Sequence, residues 1–214
     1  MTSTMGQVRV DERGGDAETA SGPEGNGRAV GMASDGRAPG AATIETFDPR
    51  TGALLAVVPD QTADEVRAAV ARARAAGTAW SALTARERSR HMLVVRDRLL
   101  DRAEELVRVI CAETGKQAAE AVTTELMAVC ETIDWYARNG ERILRAQPVG
   151  SGTMAHKSAW KRYEPLGVIG VISPWNYPFT LSMTPVITAL FAGNTVVLKP
   201  SEVTPTVGLA IGAL

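Results

Sequence analysis

The sequence has few residues of the types that form disulfide frameworks or metal centres. Its 214 residues include 2 cysteines and 2 histidines. Cys111 and Cys130 lie in helix-like segments without CxxC spacing, which argues against a disulfide framework or zinc site and indicates a reducing, cytoplasmic setting. We interpret both as buried, inert thiols. His91 and His156 are far apart and lack ligand spacing, so we assign them packing or surface roles.

The sequence also lacks net charge and long apolar runs. The formal net charge is −1, so no overall field would attract nucleic acid or an anionic membrane. The arginines between residues 67 and 98 are interleaved with acidic residues and lack an aromatic platform, which predicts a solvated helix face rather than a nucleic-acid site. No run approaches the roughly 20 apolar residues of a membrane span, and no signal-peptide core is present. We therefore expect no membrane partner.

The first 40 residues contain few large apolar side chains and are rich in Gly, Ala, Ser, Asp and Arg. Such a segment cannot bury enough surface to offset the entropy of ordering, so we predict a disordered tail over residues 1–40. Residues 25–31 approach the glycine-rich fingerprint of dinucleotide-binding loops. Their last spacing is wrong, and no predicted strand precedes them, so we assign them no function.

Ordered structure is predicted from residue 43. Strand-like residues 43–47 and 53–58 flank the turn sequence Asp-Pro-Arg-Thr-Gly at 48–52, which predicts a β-hairpin. Further along the chain, residues 156–163 are strand-like with poor alternation. We interpret the region around them as an extended arm or ribbon that precedes the main sheet.

Four helices are predicted between the hairpin and the arm. Thr62 with Glu65, and Thr84 with Glu87, have the spacing of capping boxes that begin the first two helices. Asp101 is expected to cap the third, which would end at Gly115, and the fourth is expected over 117–140. The predicted buried positions are Val66, Ala69, Val70, Ala73 and Trp80 in the first helix, Leu106, Val109 and Ile110 in the third, and Val122, Leu126, Val129, Ile133 and Tyr136 in the fourth.

The chain is organised around residues 168–202. Residues 168–172 and 195–198 are rich in β-branched residues without polar alternation, as in strands covered on both faces. The apolar segment 179–192 between them has the length of a helix. Strand, helix and strand predict a right-handed parallel βαβ unit. We therefore predict an α/β fold with a partial Rossmann-like parallel sheet, preceded by helices and a hairpin.

Ligands of parallel sheets bind at the carboxyl ends of the strands. Polar and unusual residues occur there, at 173–176 and 199–202. Three of these residues have an ordinary structural alternative. Asn176 could cap the following helix, with Pro178 in its first turn. Trp175 could be a core residue, and Glu202 an acid favoured by the helix dipole.

Two motifs and their spacing resemble those of the aldehyde dehydrogenase superfamily. They are Pro-Trp-Asn-Tyr-Pro-Phe at 174–179 and Gly-Asn-Thr-Val-Val-Leu-Lys-Pro-Ser-Glu at 193–202, with weaker support from 48–52 and from Glu-Thr-Gly-Lys at 113–116. The resemblance extends from about residue 43 to the end. It implies that residues 41–214 form the N-terminal part of an NAD-binding domain, with an oligomerisation arm at about 145–164. It also implies a homodimeric or homotetrameric parent enzyme.

The resemblance implies a role for each polar residue at the strand ends. Asn176 would donate to the substrate carbonyl oxygen and to the oxyanion that forms from it, and would also lie against the cofactor. Lys199 and Glu202 would bind the adenosine ribose, with Glu202 favouring NAD because a carboxylate repels a 2′-phosphate. The further cofactor contacts would be Ile172, Ser173, Pro174, Trp175 and Ser201.

The implied reaction is the oxidation of an aldehyde, a small-molecule substrate, to a carboxylic acid with NAD as acceptor. In the family, the nucleophilic cysteine and the general-base glutamate follow the equivalent of Leu214. We therefore expect a fragment that lacks the catalytic domain and is inactive by itself. Two alternatives stay open: an acyl-phosphate or acyl-CoA reductase of the same superfamily, and a non-catalytic nucleotide-binding or interaction protein. The sequence over 167–178 is similar to a branch that includes succinate-semialdehyde dehydrogenases, but it does not identify the aldehyde.

Overall fold

The computed structural model describes residues 42–153 and 156–214. The predicted tail, residues 1–40, and its glycine-rich segment lie outside the described residues. The predicted hairpin is confirmed, with β1 (Thr43–Phe47) antiparallel to β2 (Leu54–Pro59). In the turn, the Asp48 carboxylate accepts from the Arg50 backbone N–H at 2.8 Å. Gly52 adopts the positive φ of 72° that the turn requires.

The first two predicted helices are confirmed as α1 (Ala63–Ala82) and α2 (Ala85–Asp101), and both capping boxes form. The predicted buried face of α1 is confirmed only in part: Ala69, Val70, Ala73 and Trp80 are half-buried, but no α1 residue is fully buried and Val66 is 46% exposed. Contacts with the rest of the described chain involve the second half of α1. There Gly77 faces Thr195, and the Trp80 indole N–H donates to the Leu190 carbonyl at 3.0 Å.

The third helix, α3 (Ala103–Thr114), begins differently from the prediction. Asp101 does not cap it, because α2 continues through Asp101. Arg102 is the N-cap residue and makes no side-chain cap hydrogen bond, because a guanidinium has no acceptor for the backbone N–H groups. Its guanidinium pairs with Glu105 at 2.8 Å. Gly115 ends the helix as predicted, with a φ of 71°. Leu106 and Ile110 are buried as predicted, while Val109 is half-buried.

The fourth predicted helix contains a π-helical segment. A short helix, α4 (Ala118–Glu120), leads into the π-helix Ala121–Met127 and then into α5 (Ala128–Leu144). The wide π-helical turns change which side chains face the core. Ala121, Glu125 and Leu126 are buried, while Val122, predicted to be buried, is exposed.

The predicted end of this helix at 139–140 is also wrong. Gly140 lies inside α5 and is buried, at a position where a Cβ atom would come 3.5 Å from the Phe191 ring. Gly140 therefore packs against the Phe191 ring rather than forming a left-handed cap. Leu126, Val129 and Ile133 are buried as predicted.

The predicted arm is a two-stranded ribbon. Its strands, β3 (Gln147–Val149) and β4 (Ala159–Lys161), pair antiparallel, so the strand is shorter than the predicted 156–163. Trp160 and Val149 are exposed on this ribbon.

The parallel βαβ unit is confirmed. It comprises β5 (Val168–Ile172), α6 (Thr180–Phe191) and β6 (Thr195–Lys199), and α7 (Pro205–Gly212) follows. The prediction that both faces are covered is wrong at the carboxyl end of β5. Val171 is buried but Ile172 is 81% exposed, since nothing in the described part of the chain packs over it.

The hydrophobic core lies mainly among the helices. Buried side chains of α2, α3, α5 and α6 meet there, including Leu99, Leu106, Ile133, Ile187 and Phe191. Phe179 and Val207 extend this core to the starts of α6 and α7. The core therefore supports the loops that follow β5 and β6. None of the helices described here is both long and apolar enough to cross a membrane.

Candidate functional site

The loops that follow β5 and β6 lie side by side. In the parallel register Ile172 pairs with Lys199, and the Ser173 N–H donates to the Lys199 carbonyl at 3.2 Å. The structure therefore brings the two predicted clusters, residues 172–176 and 199–202, to one edge of the β5–β6 pair. This confirms the geometry expected for the carboxyl ends of parallel strands.

Several of the predicted site residues are exposed at this edge. Ile172 and Trp175 present apolar surface, and Pro174 and Asn176 are exposed beside them. On the neighbouring loop, the Lys199 ammonium contacts the Glu202 carboxylate at 2.7 Å. The hydrogen bond from Lys199 lowers the pKa of Glu202 below its usual value. An exposed pair of this kind contributes little to stability, so both groups can be redirected to a ligand at little cost.

The two serines of the predicted site face inward. Ser173 is buried, and its hydroxyl lies 2.7 Å from the Ser182 hydroxyl on α6. Ser201 is also buried, and its hydroxyl accepts from the Val203 N–H at 3.2 Å. Both hydroxyls therefore stabilise the loops, and Ser173 has only main-chain atoms to offer to a ligand at this edge.

Asn176 does not cap the helix that follows it. The N-cap position of α6 is Phe179, and buried Pro178 precedes the helix rather than opening it. The capping interpretation of Asn176 is therefore wrong. Within residues 42–153 and 156–214, the Asn176 side chain makes no hydrogen bond, and the residue is exposed. Its carboxamide is available as a donor.

The start of α6 is held by Glu125, which the sequence analysis did not identify. Glu125 is 0% exposed. One carboxylate oxygen accepts from the backbone N–H groups of Phe179 at 2.8 Å and Thr180 at 3.3 Å. The Thr180 hydroxyl donates to the Glu125 carbonyl at 3.1 Å. A carboxylate from the π-helix thus satisfies the N–H groups that a helix leaves unpaired at its start.

Lys116 is the counter-ion of Glu125 and the second residue missed from sequence. Its ammonium donates to the other Glu125 oxygen at 2.6 Å and to the Asn176 backbone carbonyl at 2.6 Å. It also lies 3.8 Å from the centroid of the Tyr177 ring, a cation–π contact. Lys116 belongs to the Glu-Thr-Gly-Lys sequence at 113–116 that supports the family resemblance, but nothing local in the sequence indicates which groups it contacts.

A third residue, Glu113, holds the other loop in a similar way. It is 3% exposed, and its carboxylate oxygens accept from the Thr206 and Val207 N–H groups, each at 3.0 Å. These groups belong to the first turn of α7, which follows the loop with Lys199 and Glu202. Burial raises the pKa of Glu113 above its ordinary value. Two buried carboxylates thus anchor the helices that follow both loops.

The remaining candidates for chemistry do not contribute to this edge. Burial raises the pKa of the Cys111 and Cys130 thiols, which is opposite to the activation of a nucleophilic cysteine. No group of three or more metal-ligating side chains occurs in the described segments. A shallow cavity lies at the opposite edge, lined by Arg74, Gly167 and Thr195 among others.

Comparisons with known proteins agree with this geometry. The model of the "Aldehyde dehydrogenase family" matches residues 37–214. A 4,4'-diapolycopene aldehyde oxidase of Methylomonas sp is 38% identical over 171 residues, covering 79% of this chain and 32% of that protein. A probable succinate-semialdehyde dehydrogenase [NADP(+)] of Sinorhizobium fredii is 40% identical over 171 residues, covering 80% of this chain and 34% of that protein.

A solved structure shows the same likeness. The Mycobacterium tuberculosis aldehyde dehydrogenase complexed with NAD+ superposes with a TM-score of 0.73 at 30% identity, covering 80% of this chain and 35% of that one. The chain spans about a third of the length of the curated relatives it matches. The family match, the predicted motifs and the confirmed βαβ unit agree, and the chain belongs to the aldehyde dehydrogenase family.

Proposed function

We propose that this chain supplies the cofactor side and the oxyanion donor of an NAD-dependent enzyme that oxidises aldehydes to carboxylic acids. The observation that carries the proposal is the arrangement of Asn176, whose main chain is held while its side chain is exposed. Its backbone carbonyl is held by Lys116, while its side-chain amide is exposed and makes no hydrogen bond to the residues described. A fixed donor stabilises the charge that develops on a reacting carbonyl oxygen more than it stabilises the neutral aldehyde. Loss of one such donor typically costs about 10²–10³ in rate.

The cofactor proposal depends on the exposed pair beside the apolar surface. Glu202 can accept from the two hydroxyls of an adenosine ribose, with Lys199 as a donor at the same place, and a carboxylate repels a 2′-phosphate. Ile172, Pro174 and Trp175 provide apolar surface for the nicotinamide side. One relative is named as an NADP(+) enzyme, and one of the similar structures is a complex with NAD+. Glu202 is the feature of this chain that favours NAD, which would accept the hydride.

We propose that neither cysteine of this chain is the nucleophile. The raised thiol pKa of Cys111 and Cys130 disfavours a thiolate, and both residues are partly buried in helices rather than in the loops that follow β5 and β6. The carboxylates of Glu113 and Glu125 hold helix starts, so neither is free to act as a general base. The 214-residue chain by itself is therefore expected not to oxidise aldehydes.

Assembly and setting are further parts of the proposal. The β3–β4 ribbon exposes Trp160 and Val149, apolar side chains suited to a contact between subunits of a dimer or tetramer. Cys111 and Cys130 are free thiols, which suits a reducing, cytoplasmic setting.

Calorimetric titration of the purified chain with NAD+ and with NADP+ tests the cofactor proposal. We expect NAD+ to bind more tightly and Glu202→Ala to weaken its binding. Glu164→Ala is the matched control, because Glu164 is a similarly exposed acid paired with Arg162 at 3.3 Å on the segment that follows the ribbon. Equal NAD+ affinity in the Glu202→Ala variant and the wild type would show that Glu202 does not bind the cofactor. NADH production from any aldehyde by the purified chain would contradict the assignment of both cysteines.

A further inference from the structure

Lys116 contacts more groups than a counter-ion needs. Its side chain is 11% exposed. One N–H donates to Glu125, a second donates to the Asn176 carbonyl, and the ammonium also lies against the Tyr177 ring. Neutralising Glu125 would require only the first contact. The other two contacts both act on the loop that carries the proposed oxyanion donor.

The contact with the Asn176 carbonyl restricts the orientation of the donor. A hydrogen bond to this oxygen fixes the peptide plane between Asn176 and Tyr177. Three residues later, Glu125 holds the N–H groups of Phe179 and Thr180. The main chain is therefore held on both sides of Pro178. The Asn176 side chain leaves the Cα atom next to this carbonyl, so holding the peptide plane restricts the directions in which the side chain can point.

We propose that Lys116, supported by Glu125, is a positioning residue that aims the Asn176 amide at the reacting carbonyl oxygen. The inference rests on the function proposed above, because that function supplies the carbonyl oxygen to which the Asn176 amide would donate. Lys116 would act on the substrate only indirectly, because its ammonium contacts the backbone carbonyl oxygen of Asn176 and not the Asn176 side-chain amide. The expected consequence of losing Lys116 is a mobile Asn176 on an otherwise intact helix α6.

The neighbouring loop provides an internal comparison. Glu113 caps α7 as Glu125 caps α6, but no salt bridge from a lysine or arginine to Glu113 is found within the described residues. Loss of the Glu113 carboxylate should therefore loosen the start of α7 and leave Asn176 unaffected. A variant at Glu113 thus separates positioning of Asn176 from general loosening of a capped helix.

The test is backbone ¹⁵N relaxation of the purified chain and its variants. Lys116→Met removes the donor but leaves the Glu125 charge buried and unpaired, so this variant can fail to fold. The double variant Lys116→Met/Glu125→Gln avoids that charge, because a Gln oxygen can still accept from the Phe179 N–H. Lys116→Arg keeps a cation with several donors and tests rescue. Glu113→Gln is the matched control.

In the double variant, we expect the order parameter of the Tyr177 amide to fall from about 0.85, typical of rigid backbone, to below about 0.6. Lys116→Arg should preserve the wild-type value at Tyr177 and the carbonyl ¹³C shift of Asn176. Glu113→Gln should change Thr206 and Val207 only. A rigid Tyr177 in the double variant, or equal loosening of Tyr177 in Glu113→Gln, would overturn the positioning role. Failure of the wild-type chain to bind NAD+ would instead refute the proposed function and leave the relaxation result interpretable.

Discussion

Glu125 provides the sharpest test of how the site is held together. Replacing Glu125 by alanine removes the acceptor of two backbone N–H groups and leaves the Lys116 ammonium without its carboxylate. Breaking a buried ion pair by removing one partner costs about 3–5 kcal/mol. Loss of a helix cap alone costs about 0.5–2 kcal/mol. Because Glu125 is fully buried, we expect the larger range to apply to Glu125→Ala.

Urea unfolding followed by circular dichroism measures this loss as a shift of the transition midpoint. The matched control is Glu87→Ala in the capping box of α2, where the carboxylate accepts from the Thr84 N–H at 2.8 Å in an exposed hydrogen bond. We expect that variant to lose much less stability than Glu125→Ala, because the Glu87 carboxylate is exposed and water can replace its hydrogen bond. A double variant, Lys116→Met/Glu125→Leu, removes both charges and should lose less than Glu125→Ala, because no unpaired charge stays buried.

Two results would refute this reasoning. A loss below about 1 kcal/mol in Glu125→Ala would mean that water reaches the pair and that the helix start does not depend on it. A loss in the double variant as large as that in Glu125→Ala would mean that the free energy comes from the hydrogen bonds to the Phe179 and Thr180 N–H groups, which both variants lack, rather than from the unpaired charge.

Two further predictions concern α5 and the pH dependence of stability. Gly140→Ala should be neutral or stabilising by up to about 1 kcal/mol, because its Cβ would lie 3.5 Å from Phe191 at ordinary contact distance. Gly140→Val should instead destabilise by about 1–3 kcal/mol through overpacking, and equal unfolding midpoints for the two variants would contradict this close approach. Burial raises the pKa of Glu113 above 4.5, so the Glu113 carboxyl keeps its proton in the folded state at pH values where the unfolded state has lost it. The wild type should therefore lose stability relative to Glu113→Gln as the pH rises from about 4.5 through the raised pKa of Glu113. A difference between the two unfolding midpoints that stays constant across this pH range would contradict a raised pKa for Glu113.

Local patterns predicted much of the fold. The capping boxes at Thr62 and Thr84 and the left-handed glycine at 115 depend on contacts within a few residues, so their spacing is visible in the sequence. The hairpin over 43–59 has its own turn chemistry. The β-branched runs around 168–172 and 195–199 predicted the parallel pair for the same reason.

The errors arose where a distant contact overrides a local preference. Gly140 has the sequence context of a helix end, but the Phe191 ring packs against it and the helix continues. Asp101 has the spacing of a cap, yet α2 extends through it. Val122 fits a regular helical period, and the π-helix between Ala121 and Met127 turns it outward.

Local sequence was enough to identify the α/β order, the family motifs and the residues at the strand ends. Only the folded chain places Glu125 on the N–H of Phe179, 54 residues away, and Lys116 on the carbonyl of Asn176, 60 residues away. Local periodicity and motif spacing predict contacts between residues that are near in sequence. They do not predict contacts between residues that are 54 or 60 positions apart. These distant contacts also decide which polar groups are satisfied internally. Tertiary structure therefore turned both serine hydroxyls inward, buried the carboxylates of Glu113 and Glu125 at the starts of α7 and α6, and left the Asn176 amide exposed.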